Sequence, residues 1–315
     1  MTRAFRYPWV LGLAVLVVTL GSSAVAFGMF HHKKASASPQ HSSAPSPSPT
    51  PSPSPVASVS PLASASPTTG QAAPENVSDV YSRLAAYLAP RGKHAAAGIV
   101  DLNTGARVLY NSGQQFETAS IVKVDILSTL LWQLQNHNGH LSDSQRSLAT
   151  SMITQSDNNA ASALWTQIGR GTGLAAANKA FGLTHTTPGA DGSWGLTRTT
   201  VADQLRLLTV VSTAGPLSAA SRAYLLGLMN KVVKGQRWGV PSAAPADASA
   251  VYVKNGWLAR SADGYRWIIN TIGRIVADGH NWIVVVLSNY NTTMSGGISL
   301  VEKAANLAVG GLKGD

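Results

Sequence analysis

Ten of the sixteen prolines fall between Pro39 and Pro74, where they alternate with serine, as in Ser46-Pro47-Ser48-Pro49 and Ser52-Pro53-Ser54-Pro55. Proline fixes φ and donates no backbone hydrogen bond, and side chains this small cannot build a core. Residues 35–74 are therefore expected to be a disordered, polyproline-like Ser/Pro linker. At about 3.1 Å per residue such a stalk reaches on the order of 120 Å when extended. The folded part must then come from residues 75–315, as one domain. Ahead of the linker, Trp9–Phe30 is a run of 22 residues without a charge. It is long enough to span roughly 30 Å of hydrocarbon. Arg3 and Arg6 before it favour a cytoplasmic N-terminus, and Lys33 and Lys34 after it weaken that bias. Residues 1–34 are read as a transmembrane anchor in the cytoplasmic membrane. The competing reading is a signal peptide cleaved after Ala24-Val25-Ala26, which would leave the domain secreted. Both place the domain outside the cytoplasm.

The absence of cysteine excludes a disulfide scaffold, a thiolate metal site, a cysteine nucleophile and a lipidated-cysteine anchor. Four of the 24 basic residues precede Glu75 and none of the 14 acidic ones does, so the domain carries 20 against 14, a net of +6. These charges are scattered, without basic runs or basic–aromatic alternation, so no nucleic-acid partner is expected. An anionic wall or membrane surface is an equally good use of the charge. No His-Glu-x-x-His motif or carboxylate cluster predicts a metal, no glycine-rich stretch leads into Gly-Lys-Ser/Thr, and no cofactor is expected.

Periodicity gives an order of elements. A helix is expected near 76–89, with Val77, Val80, Tyr81, Leu84 and Leu88 on one face. A hairpin follows, Ala96–Asp101 and Arg107–Tyr110, turning at Asn103-Thr104-Gly105. Helical segments come near 120–136, 143–155, 159–168, 174–181, 200–213 and 218–230, then strands near 250–254, 266–276 and 281–289. A last helix runs near 296–309. Strands from both ends of the domain meet in one antiparallel sheet, with an all-helical insertion between them, an α+β plan.

Three short motifs stand in order: Ser120-Ile121-Val122-Lys123, Ser156-Asp157-Asn158 and Lys254-Asn255-Gly256. Each has a plain structural reading. Ser120 suits a helix N-cap, with Lys123 solvated, and the second motif suits a cap for the helix after it. Asn-Gly between strand-like residues suits a two-residue hairpin. The chemical reading is that a lysine one helical turn from a serine can reach its hydroxyl. Partial burial would depress the amine's pKa and let it take the serine proton, while the Ser120 N–H faces a developing oxyanion.

As an ordered set the motifs resemble the class A β-lactamases and related penicillin-binding proteins. Phe116-Glu117-Thr118-Ala119-Ser120 is similar to that family's approach to its nucleophile, Met152–Gly169 to its helix–turn–helix, and Thr197–Leu208 to the helix start after its omega loop. The resemblance implies a five-stranded antiparallel sheet flanked by terminal helices, plus an all-helical subdomain. It implies Ser120 as acylated nucleophile, Lys123 as its base, Ser156 as proton relay and Asn158 as holder of the substrate amide. Lys254 would supply positive charge near a substrate carboxylate. Asn255 and Gly256 fall in the same substrate-binding strand, and the N–H groups of Ser120 and Trp257 would form the oxyanion hole. Arg266 is the candidate for the family's carboxylate-binding arginine. Apart from the resemblance, Trp194 and Trp257 are candidates to line the cleft, and packing into the core is an equal alternative for both.

There are also departures. Class A enzymes use an omega-loop glutamate to activate the deacylating water, and this chain has no glutamate between Glu117 and Glu302. The loop, about Gly182 to Arg198, is short. Its one carboxylate, Asp191, precedes Gly192 and reads as a turn residue before a deacylation base; His185 is the other titratable candidate. Asn255 replaces a hydroxyl residue, and the gap from Ser120 to Ser156 is short. Losing a general base costs on the order of 10²–10⁴ in rate, so acylation is expected with slow deacylation. The expected function is a serine hydrolase acting on a β-lactam or a peptidoglycan-peptide-like amide, working as a monomer. The alternatives are a penicillin-binding D,D-peptidase and a catalytically weak sensor that binds wall peptides or antibiotics.

Overall fold

The computed structural model describes residues 76–313; the expected anchor and Ser/Pro linker lie outside the described residues. Helix α1 (Asn76–Leu88) leads through a 3-10 segment into the hairpin β1 (Ala95–Asp101) and β2 (Arg107–Tyr110). Gly105 has φ +76, the left-handed turn conformation that glycine supplies without strain. A two-residue strand, β3 (Phe116–Glu117), precedes the helices α2 (Val122–Asn136), α3 (Asp143–Thr154), α4 (Asn158–Gln167) and α5 (Arg170–Phe181). The short β4 (Arg198–Thr199) pairs antiparallel with β3, and α6 (Val201–Ser212) and α7 (Ala219–Asn230) complete the helical layer. The chain returns as β5 (Ala250–Arg260), β6 (Arg266–Ala277) and β7 (His280–Asn291) and ends in α8 (Met294–Lys313). Among the described residues no helix is long and apolar enough to cross a membrane.

The five long strands form one antiparallel sheet in the order β2-β1-β7-β6-β5. Strand β7 is central and buried on both faces, which explains its near-continuous apolar run. Ile283, Val285 and Leu287 face the core shared with the helical layer. Trp282, Val284 and Val286 face a second core, which they share with Val80 and Leu84 of α1 and with Val301 and Ala305 of α8. This is the expected α+β architecture.

The structure differs from the sequence expectation at the third motif. Lys254-Asn255-Gly256 is no hairpin: β5 runs straight through it, with Lys254 opposite Ile272 and Gly256 opposite Asn270. The turn comes later, in a 3-10 segment at Ser261–Asp263 closed by Gly264 at φ +62. The long pairing with β6 decides the register, outweighing the local turn preference of Asn-Gly.

Candidate active site

Ser120 sits in a 3-10 turn, Ala119–Ile121, that feeds α2 without acting as a side-chain cap. The turn is strained, because Ala119 has φ +46, a conformation that costs of order 1–3 kcal/mol for a residue with a Cβ. Contacts from three sides hold it. Thr118 N–H donates to Thr197 O at 2.8 Å. The Asn270 amide donates to the carbonyls of Glu117 (2.8 Å) and Thr118 (3.1 Å) and accepts from Ser288 N–H at 3.1 Å. From β5, Gly256 lies so close that a Cβ there would meet Thr118 O at 2.7 Å and Ser120 N at 2.9 Å. Glu117 is ion-paired with Arg260 at 3.0 Å.

Lys123 points into the seam between α2 and the α3–α4 loop and is fully buried. Its ammonium donates to Ser156 O at 2.6 Å, to Asn158 Oδ1 at 2.8 Å and to Ser156 Oγ at 3.1 Å. The Trp194 indole lies over the same nitrogen, 4.9 Å from ring centroid to Nζ. Burial lowers the Lys123 pKa to about 7, against a smaller opposing pull from the Asp157 carboxylate. From the sheet side Lys254, also fully buried, donates to Ser156 Oγ at 2.9 Å and to Asn255 O at 3.0 Å. Burial, with the Lys123 charge adding to it, holds the Lys254 amine well below the usual lysine range. One hydroxyl thus stands between two amines from different layers of the fold. Ser156 reaches that place with φ +60, while the capping work of the motif falls to Asp157, which accepts from Ala160 N–H at 2.6 Å.

Ser120, Lys123, Ser156, Asn158, Lys254 and Gly256 are therefore brought together. The Ser120 hydroxyl is half-buried and makes no hydrogen bond among the described residues, since Lys123 turns to the Ser156 loop. Other candidates lie elsewhere. Side chains alternate along a strand, so Asn255 points to the opposite face from Lys254, and its amide donates to the carbonyls of Gln236 and Trp238, both at 2.8 Å. The Trp257 side chain shares that face, edge-on to Trp238 at 6.0 Å. Arg266 pairs across the sheet with Arg260, six positions along β5 from Lys254, or about 20 Å at the rise of a strand. It is exposed and donates to Thr292 Oγ1 at 2.8 Å, so it is not part of this cluster. The His185 ring is largely exposed, with Nδ1 2.9 Å from Thr184 Oγ1. Asp191 belongs to the 3-10 turn Ala190–Gly192, and its side chain lies outside the described part.

Two participants escape a reading of the motifs. Asn270 pins the Ser120 turn; as a polar residue inside Ile268-Ile269-Asn270-Thr271-Ile272 it carries a visible signal. Asp125, two residues past Lys123 on α2, carries none. It is buried against the Asn178 amide, which with its nitrogen turned to the carboxyl group donates to both oxygens at 2.9 and 3.0 Å. Burial pushes its pKa up to about 8, with the nearby Asp203 charge adding to the shift.

A sequence profile of the β-lactamase enzyme family matches residues 79–146 and 133–311. The putative lipoprotein LppW of Mycobacterium tuberculosis and of Mycobacterium bovis is 28% identical over 208 residues, which cover 64% of this chain and 64% of theirs. Among solved structures, a point mutant of PBP-A in an acyl-enzyme complex with penicillin G superposes with a TM-score of 0.65 at 17% identity, over 75% of this chain and 97% of that one. A class A β-lactamase from Mycobacterium abscessus gives 0.63 at 18% identity, over 74% and 99%. These structural likenesses speak for the fold. The profile extends through both the sheet and the helical layer that meet at Ser120, and on that ground the chain belongs to the β-lactamase enzyme family.

Proposed function

We propose that residues 75–315 form an exported serine hydrolase domain in which Ser120 is acylated by a β-lactam or a wall-peptide-like amide and released slowly. The observation that carries this reading is the Ser156 hydroxyl held between the Lys123 and Lys254 amines beside the Ser120 turn. A lysine with a pKa of about 7 is half neutral at neutral pH. Its lone pair takes the Ser120 proton as the Oγ–C bond forms, and the carbonyl oxygen gathers negative charge against the N–H groups of Ser120 and Trp257. As the C–N bond breaks, the Ser156 hydroxyl gives its proton to the leaving nitrogen and is refilled from the Lys123 ammonium. The serine proton thus ends on the leaving group and Ser120 carries the ester. Asn158 holds the substrate amide, and Lys254 keeps Ser156 oriented.

The PBP-A complex, an acyl-enzyme with penicillin G, supports the penicillin-binding side of this reading. LppW is described as a putative lipoprotein, which favours membrane attachment. This chain has no cysteine to lipidate, so residues 1–34 take the tether role and residues 35–74 the stalk. The test is intact-mass spectrometry of the full chain mixed with a penicillin and followed from minutes to hours. A persistent adduct that maps to Ser120 and disappears in Ser120→Ala is expected; an adduct unaffected by that substitution would sink the reading.

A further inference from the structure

We infer that Trp194 is the positioning residue that decides how long the acyl group stays on Ser120, by closing the Lys123 amine to water while leaving it open to the serine proton. The inference rests on the function proposed above and concerns the step after acylation.

Trp194 is firmly held. It opens a 3-10 turn, Trp194–Leu196, in which Leu196 N–H donates to Ser193 O at 2.8 Å and Thr197 N–H to Trp194 O at 3.1 Å. Its indole N–H donates to Ser162 Oγ of α4 at 3.2 Å. On its other side, Thr197 O accepts the N–H of Thr118, and Arg198 pairs with Glu117, so the loop that carries the tryptophan is stitched to the nucleophile's own turn. The ring is thus fixed from both walls of the cleft.

The consequence follows from counting the positions around the amine. A neutral lysine has two N–H groups and one lone pair. Ser156 O and Asn158 Oδ1 engage the two N–H groups at 2.6 and 2.8 Å, and Ser156 Oγ stands at the third position at 3.1 Å, so the lone pair of the neutral amine lies on the side of the serine hydroxyls. The indole face lies over the same nitrogen, 4.9 Å from its ring centroid, and crowds the approach to it. A water bound there would need at least two polar partners, and an aromatic face is a poor one. Among the described residues no carboxylate makes a hydrogen bond or ion pair with Lys123. The ring face also attracts the ammonium once the Ser120 proton has arrived. Hydrolysis of the ester requires a water oxygen to bond the acyl carbon, the Ser120 Oγ–C bond to break, one water proton to pass to a base and one proton to return to Ser120 Oγ. The indole blocks the approach of that water to its base.

The test uses the full chain in detergent micelles with a fluorescent penicillin, measuring label uptake and label release separately. Trp194→Ala is expected to release the label roughly tenfold faster or more while uptake changes by only a few fold. Trp194→Phe keeps a ring over the amine and should release like the wild type. A second readout needs no ligand: removing the ring relieves the burial that lowers the Lys123 pKa, an effect larger than the lost attraction of the ring for the ammonium, so with carbon-13 lysine the titration should move from its depressed midpoint toward the ordinary lysine range in Trp194→Ala and stay in place in Trp194→Phe. Label that forms but leaves all three proteins at one rate overturns the inference and spares the proposed function, as does an unmoved Lys123 titration. A wild-type chain that takes no label at all overturns the proposed function and this inference with it.

Discussion

Gly256 and Ser120 meet backbone to backbone, with the position a Cβ would occupy on Gly256 only 2.9 Å from Ser120 N. The strand and the Ser120 turn are seated at a distance that only glycine permits. Gly256→Ala should push them apart, misplacing the Ser120 and Trp257 N–H groups. Loss of one well-aimed oxyanion donor costs on the order of 10²–10³ in rate, and overpacking costs about 1–3 kcal/mol of stability. Label uptake by the variant at saturating penicillin, together with its thermal midpoint, checks both numbers.

The pH dependence of acylation follows from the Lys123 pKa of about 7. The neutral amine is the active form, so the uptake rate should rise through pH 7 and level off above it. Lys123→Arg keeps the charge and cannot lose its proton in this range. It should lower uptake by about 10²–10⁴ and flatten the profile; a profile that keeps its midpoint near 7 in that variant would assign the titration to another group.

Asp125 makes an opposite prediction for stability. Its folded pKa of about 8 lies above the unfolded value, which is about 4, so the folded chain binds one more proton between those limits. That contribution to stability is fully present below pH ~4 and is lost as the pH rises through 8. Asp125→Asn lacks the titration, so relative to wild type it should gain about 1.4 kcal/mol per pH unit across the middle of this window. Urea denaturation at pH 5, 6 and 7 measures the slope.

Arg266 and Asn255 should separate binding from architecture. Arg266 is exposed at the hairpin end, so Arg266→Ala should change penicillin uptake by less than about twofold, as surface substitutions usually do. Asn255 serves two carbonyls on the far face of the sheet. Asn255→Leu should therefore cost about 1 kcal/mol by leaving two partly buried carbonyls without their partner, read as a lowered urea midpoint.

The layers of the fold and the three motifs are legible in the sequence because they rest on local signals. The apolar run of β7, the helical periodicity of α1 and the Ser-x-x-Lys spacing all lie within a few residues. The sequence misleads where a distant partner decides. Asn255-Gly256 carries a strong hairpin signal, yet pairing with Thr271 and Asn270 keeps it extended. Arg266 has a suitable place in the chain for a carboxylate ligand, whereas the β5–β6 register sets it at the hairpin tip. The contact of Trp194 with Lys123 joins residues 71 positions apart in the chain and leaves no local trace.

The shared Ser156 hydroxyl also has a mechanical meaning. Its backbone belongs to the helical layer, while one of the two amines that grip it is rooted in the sheet. The same oxygen therefore acts as a latch between layers, and its grip strengthens or slackens with every proton the two lysines gain or give up. A molecule wedged between Ser120 and Ser156 has to prise at that latch. Occupancy of the cleft should then be felt as a change in how tightly the two halves of the domain are clasped.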